Sequence, residues 1–154
     1  MEITQRNASL SDANILLVWR NHPDIRRFSK QSEIIAADEH IAWIEDRLKK
    51  IPDEPFYLFE SKHEAIGMCR IDRVLGPPNQ FELSILVDPD QHSKGVGTQI
   101  LEMSCKSFFS LHPHESIVAK VKSDNLLSKK LFLHAGFNLR TNSGDFLYLE
   151  KELN

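Results

Sequence analysis

The 154-residue sequence contains few cysteines, few glycines and no long apolar run. Cys69 lies in a strand-like run and Cys105 in a helical one, and neither has a second cysteine or histidine at metal-binding spacing. The two cysteines therefore indicate neither a disulfide framework nor a zinc site. We expect no bound metal, and a reducing, cytoplasmic compartment.

No stretch approaches the roughly 18 apolar residues of a membrane-spanning helix, and the first residues lack the apolar core of a signal peptide. We therefore expect neither secretion nor a membrane partner. A net charge of −3 argues against nucleic acid as the main partner. Apolar content of 41% and charged content of 27% are ordinary for a globular protein. The length favours one domain over residues 1–154.

The most informative segment that is present runs from Phe81 to Thr98. Residues 81–87 alternate and end in apolar residues, which predicts a strand. A long amphipathic helix is predicted to begin near Gly97 or Thr98, after a turn that contains Gly95. A strand, a glycine turn and a helix N-terminus gather unpaired backbone N–H groups where the helix dipole also favours an anion. The segment predicts a phosphate or pyrophosphate site.

Two common glycine loops do not match this spacing. In a P-loop the lysine follows the last glycine, whereas Lys94 precedes Gly95. The dinucleotide fingerprint needs a third glycine where this chain has Ile100. The other interpretation is a tight strand-to-helix turn that uses glycine only for its backbone freedom. The turn alone leaves the two interpretations open.

The rest of the chain predicts an α/β arrangement without repeats. Alternating or β-branched runs predict strands at 2–7, 55–61, 65–74, 81–87, 116–121, 137–140 and 146–151. Apolar residues at helical spacing predict helices through Ile15 to Trp19, over 23–28 and 37–50, from Gly97 or Thr98 onward, and over 125–134.

A second motif follows the predicted fifth strand. Residues 121–137 read Val-x-x-x-Asn-x-x-Ser-x-x-Leu-Phe-x-x-x-Gly-Phe. This pattern resembles the signature of the GNAT acyl-CoA N-acetyltransferases, in which the Phe132 position is Tyr or Phe. The glycine turn resembles the same family's Arg/Gln-x-x-Gly-x-Gly/Ala motif, preceded by the Val87-Asp88-Pro89 run. With both motifs in the family's order, the chain is identified as a member.

The resemblance implies a mixed, mostly antiparallel sheet of about seven strands, flanked by helices, in which the fourth and fifth strands splay apart. It also implies acetyl-CoA as the coenzyme, with its pantetheine arm in that gap and its pyrophosphate at the glycine turn. His92 departs from the usual Arg or Gln, which weakens one phosphate contact, while Lys94 can supply charge. The implied coenzyme-binding residues are Ile85, Leu86, Val87, His92, Ser93, Lys94, Gly95, Val96, Gly97, Thr98, Asn125, Ser128 and Phe132. Asn125 is also expected to cap the helix that follows it.

The chemistry implied is direct transfer of an acetyl group to a primary amine through a tetrahedral intermediate. Because an ammonium cannot attack, a base must remove its proton. Glu82 is the leading base, through water, although it could be an exposed strand residue; Ser84, on the same strand face, could relay a proton or bind substrate. Phe132 stands where many relatives have a Tyr general acid. His134, Tyr148 or water remain as acids.

The N-terminal half indicates the acceptor. Trp19-Arg20-Asn21 and Glu39-His40-x-x-Trp43 resemble two subgroups, one that acetylates the 4-amino group of nucleotide-linked deoxysugars, as in the pseudaminic acid pathway, and one that acetylates protein N-termini. The spacing favours the sugar subgroup. A non-catalytic acyl-CoA-binding module is a third hypothesis, and a homodimer is left open. The predicted acceptor-binding residues are Arg20, Phe28, Lys30, His40, Trp43, Tyr57 and Arg70. Trp43 could instead be core, and His40 a helix cap.

Overall fold

The computed structural model describes residues 1–29, 33–92 and 94–153, so the predicted site residues Lys30 and Ser93 lie outside the described part. The strands are β1 Thr4–Asn7, β2 Phe56–Ser61, β3 Glu64–Val74, β4 Gln80–Val87, β5 Ser116–Lys122, β6 Asn138–Asn142 and β7 Phe146–Glu152. The helices are α1 Ala13–Asn21, α2 Pro23–Arg26, α3 Ala37–Leu48, α4 Val96–Leu111 and α5 Leu126–His134. Short 3₁₀ turns lie at Leu10–Asp12 and Pro89–Gln91.

These elements confirm the predicted order, with small differences at the ends. Helix α4 begins at Val96, one residue before Gly97, and α2 ends at Arg26, two residues before the predicted end. None of the helices in the described ranges is long and apolar enough to cross a membrane.

All seven strands form one sheet in the order β1-β2-β3-β4-β5-β7-β6. Every neighbouring pair is antiparallel except β4 and β5, which run parallel. Strand β7 inserts between β5 and β6, so the last strand of the chain is not at the sheet edge. This is the mixed, mostly antiparallel sheet that the family resemblance implied.

Two apolar clusters cover the two faces of the sheet. On one face α4 contributes Ile100 and Phe108, and the α5 residue Phe132 joins them against β3, β4, β5 and β7. On the other face Leu16 of α1 and Ile44 of α3 pack with residues of β2 and β3. Because β4 residues point alternately to each cluster, this strand forms part of both cores.

The parallel pair β4/β5 is short. Only Phe81 with Ile117 and Glu82 with Val118 are paired between them. On its other edge β4 pairs with β3 along its whole length, from Gln80 to Val87. Within the described residues, β4 beyond Glu82 therefore has no strand partner on the β5 side, and the two strands diverge there.

Gly67 allows α4 to approach this part of the sheet closely. A Cβ at position 67 would lie 2.5 Å from Ile100 Cδ1 and 2.8 Å from the Leu86 carbonyl oxygen. Both distances are shorter than real Cβ contacts, and the second involves backbone. Any side chain at this position must push α4 or β4 away.

We expect Gly67→Ala to lower the free energy of unfolding by about 1–3 kcal/mol, because the added methyl overpacks the contact between α4 and β4. Denaturant unfolding measures the change. Gly76→Ala is the matched control, since its methyl would lie 3.8 Å from the nearest atom, the Pro78 oxygen, and should stay within about 0.5 kcal/mol. Equal stabilities for the two variants would contradict the close approach.

Candidate active site

A cleft of about 1220 Å³ occupies the gap between the diverging strands. Residues of α1, α2, α3, β2 and β3 line one side, which we call the α1 side. Residues of the α4 N-terminus and of α5 line the other, which we call the α5 side. The wall between them is residues 83–87 of β4. One cavity is therefore lined from both faces of the sheet.

The glycine turn forms the start of α4 at the α5 side. Gly95 is the N-cap residue and has a left-handed φ of +75°, a conformation that glycine adopts without strain. The N–H of Gln99 bonds the Gly95 carbonyl at 3.3 Å. The amides of residues 96–98 precede that bond and have no carbonyl partner within the helix. Because residues 95–98 line the cleft, these amides and the helix dipole suit an anionic group.

Gly97 faces the gap between β4 and α5. A Cβ there would lie 3.4 Å from Leu131 Cδ2 and 3.6 Å from Val87 Cγ2, which are ordinary contact distances. The protein alone therefore has room for a methyl group at this position. A glycine is needed here only if something else comes close to the backbone.

His92 contacts the end of β4. Its Nε2 lies 3.0 Å from the Val87 carbonyl oxygen, so this nitrogen carries the proton and donates it. The imidazole folds back over the turn and also lines the cleft. Lys94 is exposed and is not among the residues that line the cleft. The family's charged phosphate contact therefore has no direct equivalent at position 92.

Helix α5 supplies the opposite wall. Asn125 caps it, as expected, with Oδ1 accepting from the Ser128 N–H at 3.2 Å. Asn125, Ser128 and the buried Phe132 all line the cleft. The Phe132 ring packs against Phe137 with centroids 5.0 Å apart. His134, exposed at the end of α5, also lines the cleft.

The two predicted proton-transfer residues lie on β4, next to the divergence. Glu82 is the last β4 residue paired with β5. Ser84 lies opposite Arg70 of β3, and Glu82 lies opposite Asp72. Ser84 lines the cleft, whereas Glu82 is half-buried and is not among the lining residues. In this conformation, a proton that leaves the cleft for Glu82 has to pass through another group.

Arginines and one aromatic ring dominate the α1 side. The guanidinium carbons of Arg20 and Arg70 lie 4.6 Å and 5.1 Å from the Trp43 ring centroid. Burial, together with a second nearby guanidinium, lowers the pKa of both arginines. Arg70 is paired with Asp72, which also accepts a 2.6 Å bond from Arg47. Two positive charges therefore face this side of the cleft, and one of them is balanced by Asp72.

His40 is placed behind Arg20 and not in the cleft. Its side chain is fully buried, with Nε2 2.8 Å from the Ala13 carbonyl oxygen and Nδ1 3.0 Å from Arg20 Nη1. Burial lowers the pKa of the imidazole. This buried position contradicts the prediction that His40 contacts the acceptor directly. The alternative interpretation of His40 as a helix cap is also wrong.

The position of Tyr57 also contradicts the prediction that this residue binds the acceptor. It is buried in the cluster under α4, where its ring meets Phe59 at a centroid distance of 6.4 Å. Its strand neighbour Phe56 is the residue that faces α1 and lines the cleft. Side chains alternate along a strand, so Tyr57 points away from the site.

Two lining residues of β5, Lys120 and Lys122, were missed. Lys122 Nζ donates a 3.1 Å bond to the carbonyl oxygen of Arg27, which also lines the cleft. The alternation of β5, with Ile117, Ala119 and Val121 in the core, was the signal that could have placed both lysines on the α1 side. Four of the predicted acceptor-binding residues line the cleft: Arg20, Phe28, Trp43 and Arg70.

A sheet that opens between two parallel strands, with a glycine turn and a helix N-terminus at the opening, defines an acyl-CoA-dependent N-acetyltransferase fold. Residues 3–138 match the family described as acetyltransferase (GNAT) domain, and the chain belongs to this family. It is an acetyl-CoA-dependent N-acetyltransferase.

The similar proteins agree with this assignment. Acetyltransferase PseH of Campylobacter jejuni serotype O:2 is 30% identical over 144 residues, which are 92% of this chain and 88% of that protein. PseH from serotype O:23/36 is 26% identical over 138 residues, 90% of this chain and 84% of that protein.

Solved structures share the fold. An N-acetyltransferase from Staphylococcus aureus Mu50 has a TM-score of 0.84 at 23% identity, with both chains covered fully. A putative acetyltransferase from Salmonella typhimurium, solved with its cofactor acetyl-CoA, has a TM-score of 0.79 at 21% identity and covers 99% of this chain and 94% of its own.

The residues present fit this coenzyme. The β5-facing edge of β4 is open beyond Glu82, so it can pair with the amides of an extended arm. The amides at the start of α4 suit a diphosphate. Gly97 leaves space between β4 and α5. We expect Ile85, Leu86 and Val87 to bind the pantetheine arm and residues 95–98 to bind the pyrophosphate.

We expect Gly97→Ala to raise the acetyl-CoA KM by about tenfold, close to 1.4 kcal/mol of binding energy, while the free energy of unfolding stays the same or rises. The methyl fills space that only the coenzyme needs. Steady-state kinetics and calorimetric titration with CoA measure the two effects. Gln99→Ala, on the same helix but outside the cleft lining, should change neither. Unaltered CoA affinity in Gly97→Ala would place the coenzyme elsewhere.

Proposed function

We propose that the acceptor is the 4-amino group of a nucleotide-linked deoxyaminosugar. The observation that carries this proposal is the charge of the cleft. On its α1 side lie Arg20, Arg27, Arg70 and Lys120, and Asp24 is the one acidic side chain among the described residues that line it. This concentration of cations occurs in a chain whose net charge is −3. Such a site favours an amine that carries negative charge elsewhere, as a nucleoside diphosphate does.

The apolar and aromatic groups support the same acceptor. Leu16, Phe56 and Met68, all less than 5% exposed, form part of the floor of the α1 side. An apolar floor suits a sugar that has a methyl group in place of a hydroxyl. Trp43 and Phe28 offer ring faces on which a base can stack.

A polyamine is a poor acceptor for this cleft. Spermidine carries only positive charge, so the cations on the α1 side would repel it, as like charges at close distance do. A protein N-terminus also lacks a fixed anionic group. The two PseH relatives and the resemblance of the Trp-Arg-Asn and Glu-His-x-x-Trp patterns to the sugar subgroup favour the nucleotide sugar over both.

Each part of the cleft then has a role. Acetyl-CoA supplies the acetyl group as a thioester. The α1 side orients the acceptor so that its amine approaches β4, where Ser84 faces the cleft. The amine proton passes to Ser84 or a water and on to Glu82, which leaves a neutral nitrogen able to attack. His134 is the proposed proton donor to the departing thiolate, although a thiol with an ordinary pKa near 8.5 is a leaving group that can depart without one.

We expect the enzyme to acetylate UDP-4-amino-4,6-dideoxy sugars with a kcat/KM at least about a hundredfold above that of the same sugars without the nucleotide, because the lost anionic contacts are worth about 3 kcal/mol. Release of CoA thiol measures the rate. Spermidine and a ribosomal-protein N-terminal peptide complete the panel. Faster turnover of the peptide than of every nucleotide sugar would overturn the sugar assignment, and CoA binding without turnover of any amine would indicate a binding module.

The proton route predicts the behaviour of two variants. We expect Glu82→Gln to lower kcat by about a hundredfold, with the largest loss at low pH, where the acceptor amine is protonated and needs a base, and to leave the acetyl-CoA KM unchanged. Ser84→Ala should lower kcat as well, and the double variant should lose no more than Glu82→Gln alone if Ser84 passes its proton to Glu82. An unchanged pH profile in Glu82→Gln would remove Glu82 from the route.

A further inference from the structure

We infer that His40 is a positioning residue for acceptor binding: its neutral imidazole holds the Arg20 guanidinium over Trp43, so that the remaining Arg20 N–H groups bind the anionic part of the acceptor. This inference rests on the proposed nucleotide-sugar acceptor. It gives His40 a role in specificity without any contact with the substrate.

The two contacts of His40 fix its tautomer. A carbonyl oxygen can only accept, so Nε2, 2.8 Å from the Ala13 oxygen, carries the proton. Nδ1 is then the lone-pair nitrogen, and it accepts from Arg20 Nη1 at 3.0 Å. The imidazole thus links the first residue of α1 to a side chain near the end of the same helix. Since His40 is fully buried, it has little freedom to adopt another arrangement.

Arg20 differs from the other arginines of this region in how its charge is balanced. Arg47 binds Asp72 and three backbone carbonyls, and Arg70 also pairs with Asp72. None of the ion pairs among residues 1–29, 33–92 and 94–153 includes Arg20. A neutral imidazole therefore fixes its direction, while Glu39 is a nearby negative charge that forms no ion pair with it.

The position of Arg20 makes this charge available to a ligand. The guanidinium lines the cleft and stacks on Trp43. A guanidinium has five N–H groups, and the one donated to His40 leaves the others for a ligand. Had a carboxylate held Arg20 instead, the acceptor's anion would compete with a charge already in place. A neutral partner orients the arginine without that competition.

Two substitutions of His40 separate its two contacts. In Asn the amide is attached where Nδ1 is attached in His, so His40→Asn retains an acceptor for Arg20 and loses the bond to Ala13. In Gln the amide reaches the Nε2 position, so His40→Gln retains the bond to Ala13 and loses the acceptor for Arg20. Both variants remove the buried ring, so each is the control for the other's loss of packing.

The first measurement is the binding of UDP, by calorimetry, to the enzyme saturated with CoA. We expect His40→Gln and Arg20→Ala each to weaken UDP binding by about tenfold, and His40→Asn to stay within about threefold of the wild type. The double variant Arg20→Ala/His40→Gln should bind no more weakly than Arg20→Ala, because His40 acts through Arg20. CoA affinity should stay constant throughout.

Equal losses in the Asn and Gln variants, or additive losses in the double variant, would overturn the inference and leave the acceptor assignment intact. Failure of the wild-type enzyme to bind UDP would overturn it too. If UDP binds with the expected pattern while no nucleotide sugar is acetylated, the role of His40 stands and the proposed function fails. For a nucleotide sugar that is acetylated, His40→Gln should raise the acceptor KM and leave kcat nearly unchanged.

Discussion

The divergence of β4 and β5 is the constraint on which the site depends. Two residue pairs, Phe81 with Ile117 and Glu82 with Val118, hold the strands together at one end. Beyond them β4 keeps its full ladder with β3, so it remains a straight, well-supported edge. That edge exposes backbone groups which a sheet would otherwise use internally. Apolar clusters on the two faces of the sheet hold this edge in place.

The α1 side of the cleft uses two different means to keep arginines in low-polarity surroundings. Asp72 forms ion pairs with both Arg47 and Arg70, and through Arg47 it ties α3 to β3. Arg20 receives a ring face and an imidazole nitrogen instead. The first arrangement stabilises the fold, since a buried pair is costly to break. In the role proposed for Arg20, the second leaves positive charge available to a ligand. Placing the two side by side keeps the structural charges separate from the binding charge.

The sequence predicted most of what is local. Asn125 was expected to cap α5, and the hydrogen bond to Ser128 confirms it, because the capping interaction spans only three residues. The glycine turn followed from the motif around Gly95, and the splayed pair was implied by the family resemblance that two motifs carried. The alternation of β5 could also have placed Lys120 and Lys122. The cap, the turn and the alternation of a strand each depend on residues that are close together in the sequence.

The mistakes concern contacts between distant segments. Residues 56–59 are all apolar or aromatic, so no polarity contrast shows which face Tyr57 occupies; the register with β3 decides it. His40 lies in the first turn of α3, and its burial depends on α1 crossing above it to offer the Ala13 carbonyl. Each of these is fixed by tertiary packing, which local pattern does not encode.

The lining of the cleft from both faces of the sheet has a consequence for the order of events during turnover. The glycine turn and α5 stand on one face and the arginines on the other. The proposed coenzyme and acceptor sites therefore lie on opposite faces of the sheet and meet at β4. Both ligands can then be bound at the same time, which is what direct transfer of the acetyl group to the amine requires.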